Sequence, residues 1–320
     1  MVASAILFIV TCEQLLEEPK LPGAGSKGLM FFNSSSGGRL PASELSALKE
    51  AVLEAGLEVH DVTPELDIGA AIDERLRQGR CLVVAAGGDG TIHHVLQSLV
   101  NNPDATLAVL PIGTYNHFAK DLSIPLDWRA ALEIALTGET RVVDAARVND
   151  RYFVNNVSMG LYPELVARRE ERGRDYPRWK ARLWAFFATL KKYPHVSFTV
   201  ETEHHAEVIR SHVFMVSNNS YDLSRIGVEA PRTALTEGRL SVYWLPHLPR
   251  LALARLVAHY LTGRVHNMPG FRSFRTSGMK VQSRHRHLNV GVDGEVFKFE
   301  TPLVITIVPQ GLQVKTRTSG

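Results

Sequence analysis

The sequence predicts an α/β protein in which an N-terminal parallel-sheet domain is followed by a β-rich antiparallel domain. Three observations support this fold class. Apolar runs alternate with amphipathic helices over residues 27–138, strand-like runs follow one another from about Arg141, and 320 residues are enough for two domains. Hydrophobic residues make up 45% of the chain and charged residues 22%, so we expect a folded globular protein rather than a disordered chain.

Four apolar runs in the first part of the chain are predicted as strands, and three segments between them as helices. The predicted strands are 28–32, 57–62, 81–86 and 106–110. The predicted helices are 42–55, 63–79 and 91–100, and the second of them starts at Thr63-Pro64 because proline is favoured at the first helical position. Strand–helix–strand repetition at this pace indicates right-handed βαβ units and therefore a parallel sheet.

The second part of the chain is predicted to consist mainly of strands. The predicted strands are 142–148, 152–157, 196–201, 207–216 and 240–244, and one long helical insert spans about 161–192. Strands in direct succession are typical of an antiparallel sheet. Because no linker rich in Pro, Gly or Ser separates the two parts, we expect them to pack together with a cleft between them.

Charge and cysteine content give only broad limits. The net charge of +3 is too small to indicate nucleic-acid binding by itself, but it permits contact with an anionic membrane surface. Cys12 and Cys81 have no metal-ligand or disulfide-framework spacing, so a reducing cytoplasm is the expected compartment. The apolar run Val2–Val10 is far shorter than a membrane-spanning helix. We expect a non-native start, a loose tail or a buried strand there, with a short membrane-dipping segment as the alternative.

A glycine-rich loop, Gly87-Gly88-Asp89-Gly90-Thr91, follows the third predicted strand and opens a helix. Glycines let the backbone approach a phosphate closely, and the free N–H groups of a helix start face the anion. Thr91 can cap the helix or bind a phosphate oxygen. A tight turn with Asp89 or Thr91 as the helix cap is the alternative. The loop lacks the Gly-Lys-Ser/Thr sequence of a Walker A loop.

Two further polar loops follow neighbouring strands. Asn33 to Gly38 comes after the first strand, and Gly113-Thr114 comes directly after the fourth. Because the carboxyl ends of parallel strands lie at one edge of a sheet, the three loops are expected to meet there. The sequence therefore predicts a phosphate-binding edge on a nucleotide-binding domain.

The motifs in these loops and further along the chain resemble those of the diacylglycerol kinase catalytic-domain family, which includes bacterial lipid kinases and sphingosine kinases. The matching residues are Asn33-x-x-Ser36-Gly37, Gly87 to Thr91, Pro111-x-Gly113-Thr114-x-Asn116-x-Phe118-Ala119, Asn155-x-x-Ser158-x-Gly160, Ser217-Asn218-Asn219, Asp293-Gly294-Glu295 and Thr301-Pro302. NAD kinases share the Gly87 loop, whereas the motif from Gly113 to Ala119 is much more specific to the lipid kinases.

The resemblance implies a NAD kinase/diacylglycerol kinase-like fold with two domains. Residues 1–138, joined by a returning segment 301–320, would bind ATP. Residues 139–300 would form a β sandwich that takes the lipid substrate, such as diacylglycerol. The ATP-binding residues implied in this way are Asn33, Ser36, Gly37, Gly87, Gly88, Asp89, Gly90, Thr91, Gly113, Thr114 and Asn116.

The same resemblance implies how phosphoryl transfer occurs. Asp293 would be the general base that takes the proton of the lipid hydroxyl, Glu295 would support it, and Asp89 is counted with them as a catalytic residue. Mg²⁺ would bridge phosphate oxygens and offset the developing charge. Asp-Gly between two alternating apolar runs is also a hairpin turn signal, and a catalytic carboxylate at a turn facing the cleft satisfies both interpretations.

Four positions depart from the family pattern. His93 and His94 stand where an Asn-Glu pair is common, His117 where Asp is common, and Glu237 where an Asp precedes glycine. In the family, acids at the last two positions belong to a metal-linked network. Glu237 is therefore a candidate metal ligand, and His117 puts the network in doubt because Mg²⁺ prefers oxygen ligands. We interpret the chain as a subfamily variant rather than an inactive enzyme, and its histidines as surface or cap residues rather than a metal site.

Two basic clusters bear on the partners. Residues 168–192 combine Arg and Lys with Trp and Phe, which suits a membrane interface, with a solvated helix whose aromatic face lies in the core as the alternative. We expect a lipid substrate, peripheral contact with the inner face of the membrane and no nucleic acid. A kinase of a soluble substrate such as NAD and a non-catalytic nucleotide or lipid sensor are the alternatives. The second cluster comprises Arg272, Arg275, Lys280, Arg284 and Arg286.

Overall fold

The computed structural model describes residues 28–33, 40–160, 196–203, 205–221, 234–246 and 272–318. Some of the sequence predictions concern other residues. The apolar N-terminal run, Ser36 and Gly37, the helical insert at about 161–192 and its basic, aromatic stretch all lie outside the described residues.

Strands and helices alternate in the first part of the chain. In chain order they are β1 Gly28–Phe32, α1 Ala42–Glu54, β2 Leu57–Asp61, α2 Ile68–Leu76, β3 Cys81–Gly87, α3 Asp89–Leu96, β4 Ala105–Pro111, α4 His117–Asp121 and α5 Trp128–Thr137. The four strands are parallel and lie side by side in the order β4-β3-β1-β2. All five residues of β1 are buried, as a parallel strand covered on both faces requires. The predicted parallel sheet is confirmed.

Aspartate caps decide where two of the helices begin. α2 begins at Ile68, and the predicted start at Thr63-Pro64 is wrong, because the side chain of Asp67 caps the helix by accepting a backbone N–H at 2.9 Å. α5, which the sequence periodicity did not predict, begins in the same way with Asp127 as its cap. Both caps satisfy N–H groups that a helix start leaves without an intrahelical partner.

The helix after the glycine-rich loop begins earlier than predicted. α3 starts at Asp89, Gly88 is its N-cap, and no side chain caps it. The alternative in which Asp89 or Thr91 caps this helix is therefore wrong, since both residues lie in its first turn. Most of the glycine-rich loop is thus the start of the helix itself, which brings its N–H groups to the carboxyl edge of the sheet.

The second part of the chain is antiparallel and β-rich, as predicted. Its strands are β5 Glu139–Val148, β6 Arg151–Phe153, β7 Asn156–Gly160, β8 Val196–Thr202, β9 Ala206–Asn218, β10 Leu240–Pro246, β11 Arg272–Thr276, β12 Gly278–Ser283, β13 His287–Val292, β14 Glu295–Glu300 and β15 Leu303–Thr316. The predicted single strand at 152–157 is wrong, because the chain bends between β6 and β7 at Val154 and Asn155. Antiparallel pairs join β7, β8, β9, β12, β13 and β14.

The last strand connects the two parts of the molecule. β15 pairs antiparallel with β12 and β5, and parallel with β4 where Val314 lies opposite Leu107. Its register shifts between Val308 and Leu312. The residues before the shift pack into the core of the antiparallel sandwich, and those after it pack into the core of the parallel-sheet part. One strand therefore fixes the position of the sandwich relative to the carboxyl edge of the parallel sheet.

Candidate active site

Two of the predicted loops are pressed together at the carboxyl edge of the parallel sheet. The backbone N–H of Gly113 donates to the carbonyl oxygen of Gly87 at 3.1 Å. A Cβ atom at Gly113 would collide with the Cα of Gly88. Only glycine at position 113 allows this backbone contact, so the predicted phosphate loops form one continuous surface.

Asn116 closes the second of these loops on itself. It is buried and adopts a left-handed conformation with φ of 52°, which asparagine tolerates better than most residues. Its side-chain amide donates to the carbonyl oxygens of Pro111 at 3.1 Å and Gly113 at 2.9 Å. Asn116 thus holds the loop in shape, and Thr114 lies exposed on the same loop.

Asp89 ties the glycine-rich loop to α4. Its carboxylate accepts the backbone N–H of His117 at 3.1 Å and that of Phe118 at 3.2 Å. These are groups that the start of α4 leaves without helical partners. The ring of His117 stacks on Tyr115 with an interplanar angle of 4°. In this structure the Asp89 carboxylate positions the neighbouring loop.

The first predicted loop reaches the same place through Asn33. Its side-chain amide lies 3.3 Å from the hydroxyl of Thr91, and its backbone N–H donates to the carbonyl of Ala86. The structure therefore brings most of the predicted ATP-binding residues together: Asn33, Gly87, Gly88, Asp89, Gly90, Thr91, Gly113, Thr114 and Asn116.

The turn between β13 and β14 faces these loops and carries two acids. Asp293 has φ of 49° and Gly294 has φ of 95°, as a tight two-residue hairpin turn requires. The Asp293 carboxylate accepts three backbone N–H groups, at 3.0, 2.8 and 3.1 Å, from the bend that separates β6 and β7. Its side chain is only 1% exposed. This contact explains the bend, because those N–H groups point to Asp293 instead of a neighbouring strand.

Glu295 points the other way, toward the glycine-rich loop. Its Oε1 lies 2.5 Å from the position that a Cβ on Gly90 would take. The Glu295 side chain is 34% exposed. A carboxylate of the sandwich therefore lies directly on the glycine-rich loop of the parallel-sheet part, and glycine at position 90 makes room for it.

Each of the two acids has a histidine beside it. His93 is fully buried, its Nδ1 lies 3.7 Å from Oδ2 of Asp293, and neither ring nitrogen has a hydrogen-bond partner. The expectation of a surface or cap histidine is thus wrong at His93. His94 is half exposed, and its Nε2 lies 3.5 Å from Oε2 of Glu295. The turn and α3 thus face each other through two acid–histidine pairs. The pair of Asp293 and His93 is buried, and the pair of Glu295 and His94 is partly exposed.

The partly exposed pair, His94 and Glu295, has shifted pKa values. Burial alone would raise the pKa of Glu295, but the hydrogen bond from His94 and the electrostatic effects of His94, His93 and Arg151 together lower it. The hydrogen bond to Glu295 is also the main reason why the pKa of His94 is raised, against the opposing effect of its own burial. Both shifts favour an ion pair beside Gly90.

Sequence reasoning missed Arg151 beside the site and a buried acid, Asp144, next to Gly238. Arg151 lies with its guanidinium 4.1 Å from the ring centre of Phe297 and adds positive charge near Glu295. Asp144 is buried, and its carboxylate accepts the N–H groups of Gly238 at 2.7 Å and Gln310 at 2.9 Å. Asp144 could have been recognised from the sequence, because it is an acid within the apolar run of β5. For Arg151 no pattern in the sequence gave a signal.

Glu237, the candidate metal ligand, has protein partners. Its carboxylate accepts the hydroxyl of Ser220 at 2.8 Å and lies 3.7 Å from the Arg275 guanidinium. Among the residues that the structure describes, no group of three or more His, Cys, Asp or Glu side chains is arranged to hold a metal ion. Glu237 therefore remains a predicted metal ligand, and in this structure its carboxylate contacts Ser220 and Arg275.

The fold and the loop–turn geometry define an α/β protein in which an antiparallel sandwich contacts the glycine-rich loop at the carboxyl edge of a parallel sheet. The profile of the diacylglycerol kinase catalytic domain matches residues 27–148. The profile of the YegS C-terminal NAD kinase beta sandwich-like domain matches residues 156–316, about half of the chain. The chain belongs to the diacylglycerol kinase catalytic-domain family, which confirms the resemblance.

Curated relatives agree with this assignment over part of their length. The chain is 35% identical to a diacylglycerol kinase of Bacillus subtilis (strain 168) over 143 residues, which are 43% of this chain and 46% of that protein. It is 31% identical to a diacylglycerol kinase of Staphylococcus aureus (strain JH9) over 134 residues, which are 41% of this chain and 42% of that protein. The aligned region thus spans less than half of each relative.

Solved structures share the fold over nearly the whole chain. A crystal structure from Bacillus anthracis str. Sterne superposes with a TM-score of 0.70 and 17% identity, covering 94% of this chain and 98% of that one. A diacylglycerol kinase from the same organism gives a TM-score of 0.64 at 14% identity, covering 92% and 98%. At these identities the similarity shows the fold.

Proposed function

We propose that this chain is an ATP-dependent lipid kinase, which transfers the terminal phosphoryl group of ATP to a hydroxyl of a lipid such as diacylglycerol. The observation that carries the proposal is the contact between Glu295 and Gly90. This contact supports the proposal because an acid of the sandwich lies beside the glycine-rich loop, and in our proposal the acceptor hydroxyl approaches the phosphate at that position. Phosphoryl transfer depends mainly on such alignment and on charge stabilisation.

ATP fits the edge formed by the three loops. The N–H groups at the start of α3 and the close backbone contact of Gly88 with Gly113 give a surface on which backbone groups can approach a phosphate closely. Asn33 and Thr91 add polar side chains beside it. In this proposal the N–H groups hold the phosphates and α3 stabilises their negative charge.

Mg²⁺ would accompany ATP rather than occupy a cage built by the protein. Kinase sites hold this ion largely through phosphate oxygens and water, with one or two carboxylates. That arrangement agrees with the described residues, which provide single carboxylates and no cluster of three. When bound, the ion would neutralise charge on the phosphates.

Two acids of the turn are candidates for the general base that removes the proton from the acceptor hydroxyl. The family resemblance implies Asp293, with Glu295 in support. The Asp293 side chain is buried in the sandwich, whereas the Glu295 side chain is partly exposed and lies beside the glycine-rich loop. Both assignments belong to the same reaction, and they differ in which side chain touches the hydroxyl.

The lipid substrate is supported by the relatives named as diacylglycerol kinases. No helix in the described part of the chain is both long and apolar enough to cross a bilayer. We propose peripheral contact with the inner face of the membrane, based on the basic and aromatic residues of the sequence. Three cations of the second basic cluster are already paired with acids: Arg275 with Glu237, Lys280 with Glu201 and Arg286 with Glu300.

A phosphotransfer assay with radiolabelled ATP tests the proposal. Acceptors are diacylglycerol, a sphingoid base and phosphatidylglycerol in mixed vesicles, and NAD without vesicles. We expect label in a lipid product with wild-type protein and Mg²⁺. NAD is the second candidate acceptor, because the matching sandwich profile is described as NAD kinase-like. Label in NAD alone would support that function, and a folded protein that labels no acceptor would contradict both.

A further inference from the structure

We propose that Arg151 binds a phosphate group beside the glycine-rich loop, where β6 and β14 face α3. The phosphate is either the terminal group of ATP or the headgroup phosphate of a phospholipid acceptor, and Arg151 would recognise both by the same chemistry. The inference rests on the proposed kinase function and deepens it by adding a binding residue to that site. It follows from the surroundings of Arg151, which differ from those of two otherwise similar cations.

Three cations in the described part of the chain lie over aromatic rings. They are Lys49 over Phe32 at 4.6 Å, Arg129 over Trp128 at 4.2 Å and Arg151 over Phe297 at 4.1 Å from the ring centre. The first is also held by Asp61 at 2.7 Å, and the second by Glu44 at 2.9 Å. Among the described residues, no acid lies within ion-pair distance of the Arg151 guanidinium and no group accepts a hydrogen bond from it. Arg151 is therefore the stacked cation that lacks an anionic partner in this part of the chain.

The guanidinium of Arg151 has donors available for a ligand. A guanidinium carries five N–H donors in its plane, and stacking on Phe297 uses its flat face rather than these N–H groups. Arg151 is partly buried, and a charge that is withdrawn from water is costly unless it is paired. Its planar fork matches two oxygens of one phosphate group. A bound phosphate would supply the acceptors that the described protein groups do not.

The position of Arg151 beside α3 is fixed by the neighbouring residue. The side-chain amide of Gln97, at the C-terminal end of α3, donates to the carbonyl oxygen of Tyr152 at 2.9 Å and accepts the N–H of Tyr152 at 2.9 Å. This two-way contact holds the start of β6 against the helix that begins in the glycine-rich loop. The guanidinium is thus held in place before a ligand arrives, which reduces the entropy cost of binding.

The charges around Arg151 connect it to the glycine-rich loop. Arg151 acts electrostatically on both His94 and Glu295, and the Glu295 carboxylate lies beside Gly90. His94 and Glu295 are 3.5 Å apart and balance each other as an ion pair. Arg151 therefore contributes a cation without an acid of its own, close to the positive end of the α3 dipole. Both features favour a phosphate group over a neutral one.

The test combines titration calorimetry with ATP and with ADP and acceptor kinetics with diacylglycerol and with phosphatidylglycerol in vesicles. Arg151→Gln removes the charge and keeps much of the stem over Phe297. Arg151→Lys keeps the charge but loses the planar fork. Arg129→Gln is the matched control, because it removes a stacked arginine from a site that is already closed by Glu44. Thermal unfolding shows whether each protein is folded.

Two results support the inference, and each identifies one source of the phosphate. For the terminal phosphate of ATP, Arg151→Gln should weaken ATP binding or lower kcat with both acceptors by about 10-fold or more, with ADP binding unchanged. For the phosphate of the acceptor, ATP binding stays unchanged, and the KM for phosphatidylglycerol rises by about 10-fold or more while that for diacylglycerol does not. Arg151→Lys should restore part of the loss, and Arg129→Gln should match the wild type.

A folded Arg151→Gln protein with wild-type nucleotide binding and wild-type kinetics with both acceptors overturns the inference and leaves the kinase function intact. Equal losses in Arg129→Gln also overturn it, because they would be a general effect of removing a stacked arginine. Calorimetry requires no turnover. A selective loss of ATP binding in Arg151→Gln therefore supports the phosphate site even if the wild type labels no acceptor, and in that case only the proposed lipid kinase function fails.

Discussion

The β13–β14 turn presents two carboxylates two residues apart, and the fold treats them in opposite ways. Asp293 faces the sandwich and is surrounded by backbone N–H groups, beside a histidine without hydrogen-bond partners. Glu295 faces the parallel-sheet part and touches its glycine-rich loop, beside a half-exposed histidine. The comparison shows that one short turn can have two roles. Asp293 holds the bend between β6 and β7 on one side of the hairpin, and Glu295 offers a carboxylate to the glycine-rich loop on the other side.

Replacing Asp293 by alanine is expected to give the largest loss of stability. Three backbone N–H groups would lose their acceptor inside the protein, and each buried unpaired donor costs about 1–3 kcal/mol, so the free energy of unfolding should fall by about 3 kcal/mol or more. Urea denaturation monitored by circular dichroism measures it. Glu295→Ala is the control, with a loss of less than about 1 kcal/mol because its ion pair is partly exposed. Equal losses for the two variants would remove the distinction between the two acids.

Two glycine-to-alanine variants separate backbone contact from side-chain contact at the phosphate loops. In Gly113→Ala the new methyl group meets the backbone of Gly88, which has no room to move, so we expect a loss of about 1–3 kcal/mol and weaker ATP binding. In Gly90→Ala it meets only the end of the flexible Glu295 side chain. That variant should fold normally and lose kcat.

Chemical denaturation and ATP titration calorimetry measure both effects. Gly278→Ala is the control, because a methyl group there makes only an ordinary contact at 3.4 Å with Thr306. A Gly113→Ala protein with wild-type stability and ATP affinity would show that the close approach of the two loops is unimportant. Normal kcat in Gly90→Ala would show that the position of Glu295 is unimportant.

A comparison of Asp89→Ala with Asp67→Ala tests whether Asp89 contributes to ATP binding in addition to protein stability. Asp89 accepts N–H groups at the start of α4, and Asp67 does so at the start of α2. Each aspartate-to-alanine change should lower stability by about 1 kcal/mol. Only Asp89→Ala should also weaken ATP binding, because α4 follows a phosphate loop. If calorimetry shows the same ATP affinity for both variants, Asp89 serves only as a cap.

The smallest expected effect is a pH-dependent contribution of the His94–Glu295 pair to stability. Because the pKa of His94 is raised, its contribution is present below the unfolded value of about 6.5 and is lost as the pH rises through the folded value. Because the pKa of Glu295 is lowered, its contribution is present above the unfolded value of about 4.3 and is lost as the pH falls through the folded value. The pair should therefore stabilise the protein most at about pH 5–6.

Thermal unfolding of wild type and His94→Gln across this pH range measures the contribution. We expect a difference below about 1 kcal/mol, since half of the His94 side chain is exposed. His205→Gln should show no comparable maximum, because its distance to Glu207 is longer and both side chains are more exposed. A difference that stays constant with pH would contradict the assigned ion pair.

The features that the sequence predicted correctly depend on local patterns. Buried runs such as 28–32 identify parallel strands by composition alone, and the Asp293-Gly294 pair marks a hairpin because both positions need positive φ. The glycine-rich loop could be identified from the sequence because closely spaced glycines mark places where one backbone segment packs directly against another. These signals are contained within a few neighbouring residues.

The features that the sequence did not predict depend on partners far along the chain. The bend at Val154 and Asn155 exists because Asp293, more than 130 residues later, accepts their N–H groups. His93 is buried because β14 packs on α3, which brings Phe297 to 5.4 Å from its ring. The start of α2 was misplaced for a local reason, since an aspartate cap at Asp67 prevailed over a proline signal.

The most direct test of the account measures transfer of radiolabelled phosphate from ATP to diacylglycerol in vesicles, with wild type and Glu295→Gln side by side at matched folded concentration. The account predicts labelled lipid with the wild type and a rate reduced by about 100-fold or more with the variant. Equal rates would contradict the role of Glu295. No labelled lipid from folded wild-type protein, with this or any other lipid acceptor, would contradict the lipid kinase function.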